Sequence, residues 1–166
     1  MIDFAEWLGA TPFSVAIQSR LWITPLLQSL HILMIGVVFT SILVMALRVL
    51  GRMRTDEAPA DIWRRFAPWF WRALVVMAAT GLVLTIAEPV REFTAFSFWF
   101  KMTLLVIGLS SAAYFGRTLS VATGTAEFSG KARVVAVVTV ALWLTIIFLG
   151  RAIAYDVEVW GSWHLA

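Results

Sequence analysis

Three polar side chains stand in line at the start of the longest apolar stretch of the chain. Thr24, Gln28 and His31 are spaced i, i+4 and i+7, so a helix places them on one face. The stretch, residues 21–50, is uncharged between its flanking arginines and is long enough to cross a bilayer. Because an ionisable residue at the centre of a membrane helix costs roughly 2.5 to 3.5 kcal/mol, His31 is a candidate functional residue. The other two side chains predict a polar path to it.

An imidazole inside a membrane helix has two kinds of use. It can ligate haem iron, copper or a chlorophyll-type magnesium, or donate a hydrogen bond to a quinone. Alternatively, it forms an interhelical hydrogen bond to a Ser, a Thr or a backbone carbonyl of another span. The second histidine, His164, lies at the C-terminus, so one chain cannot ligate haem with two membrane histidines. A single haem then needs Met77, which lies at a matching depth in the second span, a five-coordinate iron, or a ligand from a partner.

Methionines near His31 suggest copper as the alternative. Met34 follows His31 at i+3, and an imidazole with a thioether suits Cu(I), while Met102 lies nearer the outer surface; methionine is also common core filler. The predicted metal ligands are therefore His31 and Met34. The predicted cofactor-binding residues are His31, Gln28, Met77 and Arg151.

The composition places the chain in lipid. Hydrophobic residues make up 61% of it, charged residues 14%, and the mean hydropathy is +0.87. The absence of cysteine excludes disulfides, cysteine-held iron-sulfur clusters and covalent haem attachment. Basic residues lie at the ends of apolar segments and form no basic face, so no nucleic-acid partner is expected. No hydrolase, phosphate-loop or dinucleotide motif is present, and the sequence does not decide whether the chain is an enzyme.

Four apolar segments predict an all-α, integral membrane, antiparallel four-helix bundle. Thr11 before Pro12 and Thr24 before Pro25 are predicted helix starts. Residues 51–65 are predicted as a polar connection and 116–130 as a flexible loop. The predicted spans are 21–50, 66–87, 96–114 and 132–149. The predicted regions are an interfacial amphipathic segment at 1–20, the bundle at 21–155 and an interfacial tail at 156–166.

The basic residues also predict an orientation. Nine of the 13 lie on one side of the predicted bundle, so the positive-inside rule puts both termini outside, in the periplasm for a bacterial inner-membrane protein. His31 then lies in the outer half of the bilayer. Charged and polar residues collect at the outer surface, where they predict salt bridges or a docking surface, with Glu88 packed on Arg151 or Lys101. This outer rim comprises Glu88, Arg91, Glu92, Lys101, Arg151, Tyr155 and Asp156.

Several motifs together resemble a family of small bacterial four-helix membrane proteins catalogued as a domain of unknown function. They are FAEWLGATPFSVAIQSRLWITPLLQSLHIL, LRVLG, TGLVLTIAEPVREF followed by FWFKM, and GRAIAY, and they extend over residues 4–155. The resemblance implies the bundle, no established activity, and His31 as the candidate site. More loosely, a histidine in the first of four spans is similar to the copper resistance D family and to transmembrane cytochromes b, although the further helix histidines of those cytochromes are missing.

Three functions remain open from the sequence. The first is an electron-transfer or redox-complex subunit that binds haem b or a similar group through His31. The second is a copper-handling membrane protein, and the third is a cofactor-free accessory subunit of a larger complex. Besides the lipid bilayer, the expected partner is a membrane or periplasmic protein or a second copy of the chain.

Overall fold

The computed structural model describes residues 2–122 and 128–161, which are almost entirely helical and contain no strand. A short 3₁₀ turn, Ile153–Tyr155, precedes the last helix. The helices are α1 (Ile2–Gly9), α2 (Pro12–Gln18), α3 (Ile23–Val49), α4 (Pro59–Ala87), α5 (Pro89–Thr94), α6 (Phe96–Val121), α7 (Gly130–Ala152) and α8 (Asp156–Trp160). The predicted all-α fold is confirmed.

Four of these helices, α3, α4, α6 and α7, are long and apolar enough to cross a membrane. The shortest has 23 residues and is about 35 Å long, which exceeds a hydrocarbon core of roughly 30 Å. Helix α3 packs on α4 and α7, and α6 packs on the same two helices. The order around the bundle is therefore α3, α4, α6, α7, and the predicted membrane four-helix bundle is confirmed.

The two ends of the bundle differ. The short helices α1, α2, α5 and α8 lie at one end, here called the capped end. The connection 50–58, the end of α6 and the start of α7 lie at the other, here called the basic end. Ser14 of α2 donates a hydrogen bond to the Ile86 carbonyl of α4 at 2.7 Å, and Phe4 of α1 contacts Phe93 of α5. The first two helices are thus attached to the end of α4 and to α5.

The hydrophobic core is concentrated toward the basic end. Its buried residues are Val38, Ile42, Met45, Ala46, Val49, Ile62, Phe70, Ala73, Ala112, Phe115, Leu119, Ala136, Trp143 and Ile146. In contrast, α3 has no buried residue before Val38, and α6 has none between Phe98 and Gly108. In the half nearer the capped end, which contains His31, α3 and α6 therefore bury fewer residues than they do toward the basic end.

Several predicted helix boundaries are wrong. Helix α3 begins at Ile23 with Trp22 as its N-cap residue, not at the Thr24–Pro25 pair, because proline is tolerated in a first turn whose N–H groups need no helical acceptor. Thr11 does cap α2, accepting a hydrogen bond from the Ser14 N–H at 3.4 Å.

Both connections at the basic end are shorter than predicted. Helix α4 begins at Pro59 rather than at 66, and Asp61 and Arg64 form an ion pair on its first turns. Helix α6 continues to residue 121, and α7 already begins at 130. Polar residues there lie on helix ends, where propensity and capping favour helix even though the residues are not apolar.

The predicted tail begins with a helix that docks on the bundle. The Asp156 carboxylate accepts hydrogen bonds from the Phe96 and Ser97 N–H groups, both at 2.9 Å, and so caps α6 from outside that helix. The Trp160 indole donates to the Ser97 hydroxyl at 2.7 Å. The rest of the predicted tail, which includes His164, lies outside the described residues.

Candidate functional site

His31 lies on the face of α3 that packs against α4. It is eight residues from the start of its helix, about 12 Å below the capped end, and it is half-buried. Its Nδ1 atom is 2.8 Å from the hydroxyl oxygen of Thr80, a residue of α4 that is 5% exposed. The interhelical hydrogen bond that the sequence suggested as one alternative is therefore present.

The hydrogen bonds of Thr80 indicate which imidazole nitrogen carries the proton. Its hydroxyl oxygen is also 2.8 Å from the Val76 carbonyl oxygen and 3.1 Å from that of Met77. A hydroxyl has one proton, and Thr residues in helices commonly donate it to the carbonyl four residues earlier. Thr80 then accepts the Nδ1 proton of His31, and Nε2 carries the lone pair.

A glycine beside the imidazole makes this arrangement possible. A Cβ atom built on Gly81 would lie 3.3 Å from Cε1 of His31, closer than nearly all real contacts of that kind. The ring therefore lies directly against the backbone of α4. Thr80 and Gly81 together determine where the imidazole lies and which nitrogen is available.

In the described part of the chain, the side chain that hydrogen-bonds to the imidazole is Thr80. The Met77 backbone carbonyl of α4 acts on the imidazole as a further hydrogen-bond acceptor. Met34 and Met77, each one turn toward the basic end from His31 or Thr80, pack against the hydrophobic core cluster. The arrangement combines an oriented lone-pair donor with apolar surroundings in the half of the bundle nearer the capped end.

A lysine lies at the same level on the opposite helix of the bundle. Lys101 is half-buried, five residues into α6, and its Cδ is 3.8 Å from a Cβ built on Gly150 of α7. Its ammonium nitrogen is 5.4 Å from the Phe98 ring centroid. Lys101 is close enough to act electrostatically on both His31 and Glu92.

Glu92 is one of two buried acids of the outer rim, the other being Asp156. Glu92 is 9% exposed, and burial raises the pKa of its carboxyl although Lys101 and Arg91 act in the opposite direction. The nearest guanidinium nitrogen of Arg91 is 3.7 Å away, whereas the same guanidinium contacts Glu88 at 2.5 Å. Glu88 therefore pairs with Arg91, and the prediction that it packs on Arg151 or Lys101 is wrong.

The other predicted site residues are not brought into contact with His31. Gln28 is exposed and forms no hydrogen bond with the described residues, and Thr24 is half-buried one turn before it. Arg151 is exposed and its guanidinium lies 5.4 Å from the Tyr155 ring centroid, with a hydrogen bond to the phenol at 3.4 Å. Met102 packs against the small cluster of Ala95, Phe98 and Ile153.

The model of a family of unknown function (DUF6644) matches residues 12–156. The chain belongs to this family. The match covers nearly all of the stretch that carries the resemblance found in the sequence. No curated protein and no solved structure matches the chain. The looser similarity to copper resistance D proteins and cytochromes b is not shown.

The site of this DUF6644 protein does not resemble a polydentate metal centre. Within residues 2–122 and 128–161, no three His, Cys, Asp or Glu side chains are grouped so that they can hold a metal ion. The arrangement offers one imidazole, held by the Thr80 hydroxyl.

Two residues of the site were missed in the sequence. Thr80 and Gly81 are adjacent in the second span, at the same depth as His31. A hydroxyl next to a glycine in an apolar helix is a signal for close approach of a polar side chain from a neighbouring helix. Only the packing of α3 on α4 shows that the approaching side chain is His31.

Proposed function

We propose that this membrane protein binds haem b, which Nε2 of His31 would hold, and acts as an electron-transfer subunit together with a partner protein. One observation carries the proposal. The imidazole is held through Nδ1 by Thr80, and no side chain of the described residues hydrogen-bonds to Nε2, in the half of the bundle where α3 and α6 bury the fewest residues. Ligating histidines almost always donate their other N–H in this way, which fixes the tautomer and raises the basicity of the ligating nitrogen.

The chain contributes binding and orientation. Thr80 keeps the proton on Nδ1, and Gly81 admits the ring against α4. Met34 and Met77, one turn from His31 and Thr80 along their helices, pack against the hydrophobic core cluster. A bound haem iron supplies a one-electron ferric/ferrous couple, and electron donor and acceptor are the partner protein or a membrane quinol. Met77 or a group of the partner would supply a second ligand to the bound haem.

Haem is favoured over copper by the surroundings of His31. A copper site needs several ligands from the chain, and among the described residues no three His, Cys, Asp or Glu side chains are grouped to supply them. A haem needs only one ligand from the chain. Copper binding is therefore an outcome of the test and not a second proposal.

The proposed location is the bacterial inner membrane, with the capped end in the periplasm. The support is the positive-inside rule, since nine of the 13 basic residues belong to the half of the bundle at the basic end. His31 would then exchange electrons near the periplasmic face. Reporter fusions at residue 55 and at the C-terminus test this orientation.

The test is an absorption spectrum, oxidised and dithionite-reduced, of protein purified from its native membrane, with metal analysis on the same sample. We expect a b-type difference band that is lost in His31→Ala and kept in His164→Ala, which removes the other histidine of the chain. Copper without the b-type difference band would refute haem binding and support the copper-handling function. The absence of both the band and the metal would refute the haem and copper functions and leave an accessory subunit.

A further inference from the structure

A cavity of about 400 Å³ opens at the capped end, between α1, α2 and the junction of α4 with α5. Its volume lies within the range of small-molecule binding pockets. One wall is formed by the residues around Pro89, whose Cγ lies 3.4 Å from a Cβ built on Gly9 of α1. None of the residues that hold His31 lines this cavity, so it is separate from the proposed haem site.

The charged side chains that line the cavity carry a net negative charge. They are two carboxylates, those of Glu6 and Glu88, and one guanidinium, that of Arg91. Arg91 is already engaged, since one of its nitrogens lies 2.5 Å from Glu88 and the other lies 3.7 Å from Glu92. No lysine or arginine nitrogen of the described residues lies within 4.0 Å of the Glu6 carboxylate. One carboxylate of the cavity is therefore left for a cationic group of a ligand.

The Gln18 side chain adds an oriented hydrogen-bond acceptor to the cavity. Its amide nitrogen is 2.8 Å from the hydroxyl oxygen of Ser14, which is buried and donates its own proton to the Ile86 carbonyl at 2.7 Å. Because the hydroxyl has only one proton, it accepts from the Gln18 amide N–H, which fixes the orientation of the amide. The amide oxygen of Gln18 then remains as an acceptor, and it forms no hydrogen bond with the described residues.

This surplus of acceptors matches a primary ammonium group. An ammonium has one positive charge and three N–H donors, so it can bind the Glu6 carboxylate and the Gln18 oxygen together. Large aromatic side chains on α1 and α2 are exposed, namely Phe4, Trp7 and Phe13. Exposed aromatic residues of this kind are typical of the headgroup level of a bilayer. At that level, lipid headgroups are the abundant source of ammonium groups.

We propose that this cavity binds the headgroup of a phosphatidylethanolamine molecule, with its ammonium on Glu6 and Gln18. The bound headgroup joins α1 and α2 to the junction of α4 with α5, and the acyl chains lie on the apolar surface of the capped end. This binding does not depend on haem, because the residues of the cavity differ from those that hold His31.

The test compares phosphatidylethanolamine with phosphatidylcholine of the same acyl chains, in which methyl groups replace the N–H donors and the charge is kept. The full-length protein is delipidated in detergent and titrated with each lipid, with native mass spectrometry as the readout. Wild type is expected to bind phosphatidylethanolamine about fivefold more tightly, which corresponds to one hydrogen bond of ordinary strength. Glu6→Ala should lose this preference. Asp3→Ala, which removes the same charge from α1 outside the cavity, should keep it.

Three results would overturn the proposal. They are equal binding of the two lipids by wild type, a preference that survives in Glu6→Ala, and a preference that is lost in Asp3→Ala as much as in Glu6→Ala. Displacement of the lipid by an equal concentration of free ethanolamine would also overturn it, because the site would then take water-soluble amines. Circular dichroism checks that each variant is folded, and the comparison of the two lipids on wild type is decisive without any variant.

Discussion

Replacing Thr80 by valine separates ligation from simple helix packing. Valine has the shape of threonine and lacks the hydroxyl, so the change removes the partner of Nδ1 at 2.8 Å and leaves the packing of this 5% exposed position intact. In the haem-binding account, the imidazole loses the group that fixes its tautomer and orientation. If His31 only joins two helices, the change affects stability alone.

The expected sizes follow from the contacts. Loss of one hydrogen bond between half-buried neutral partners destabilises by about 1 to 2 kcal/mol. Loss of the partner that orients a ligating histidine weakens metal-centre affinity by roughly 10- to 100-fold. Thr80→Ser keeps a hydroxyl at the same position and should restore most of the affinity.

The assay titrates haem b into the haem-free Thr80→Val, Thr80→Ser and wild-type proteins, and unfolds each of them in detergent. We expect an affinity loss of roughly tenfold or more in the valine variant, alongside a modest loss of stability. Unchanged affinity with lowered stability would refute the reasoning and reduce His31 to an interhelical contact.

Three further predictions concern stability. Gly116→Ala should destabilise the protein by about 1 to 3 kcal/mol, because the new Cβ would lie 2.2 Å from the Trp63 ring. In a double-mutant cycle, Gly116→Ala should carry no such penalty in the Trp63→Leu background, and additive effects of the two changes would contradict the clash. Asp156→Ala should cost about 2 kcal/mol by uncapping α6, as measured by thermal unfolding, and wild-type stability would show that α8 does not hold that helix. Burial raises the pKa of Glu92, so the folded protein retains a proton that the unfolded chain releases, and stability should fall as pH rises from the ordinary value of 4.5 to the raised one. Glu92→Gln should remove this dependence of stability on pH and be at least as stable as wild type at pH 7. A steeper dependence on pH in the variant would contradict the raised pKa of Glu92.

The membrane bundle was predictable because its signals are strong and local. Long uncharged segments separated by basic connections have few alternatives to a bundle of spanning helices. Helix ends were less predictable. Asp61 and Arg64 were placed in a connection on account of their polarity, although they lie on α4 just after Pro59, which begins that helix.

The partners of the site residues depended on packing that one sequence does not reveal. His31 was identified as costly in a membrane, but its contact with Thr80 depends on the register of α3 against α4. Asp156 lies 60 residues from the Phe96 N–H that it caps, so nothing near it in the sequence signals that role. Glu88 was assigned to distant cations, whereas Arg91, one turn along the chain, is its partner.

The most direct test of the account is chemical rescue of His31→Gly by free imidazole. The glycine variant opens a space for imidazole where the side chain stood, and the spectrum of added haem b reports whether an imidazole nitrogen ligates the iron. We predict that His31→Gly gives an altered, weakened Soret band and that imidazole restores the wild-type spectrum. A glycine variant that binds haem b with the wild-type spectrum in the absence of imidazole would contradict ligation by His31.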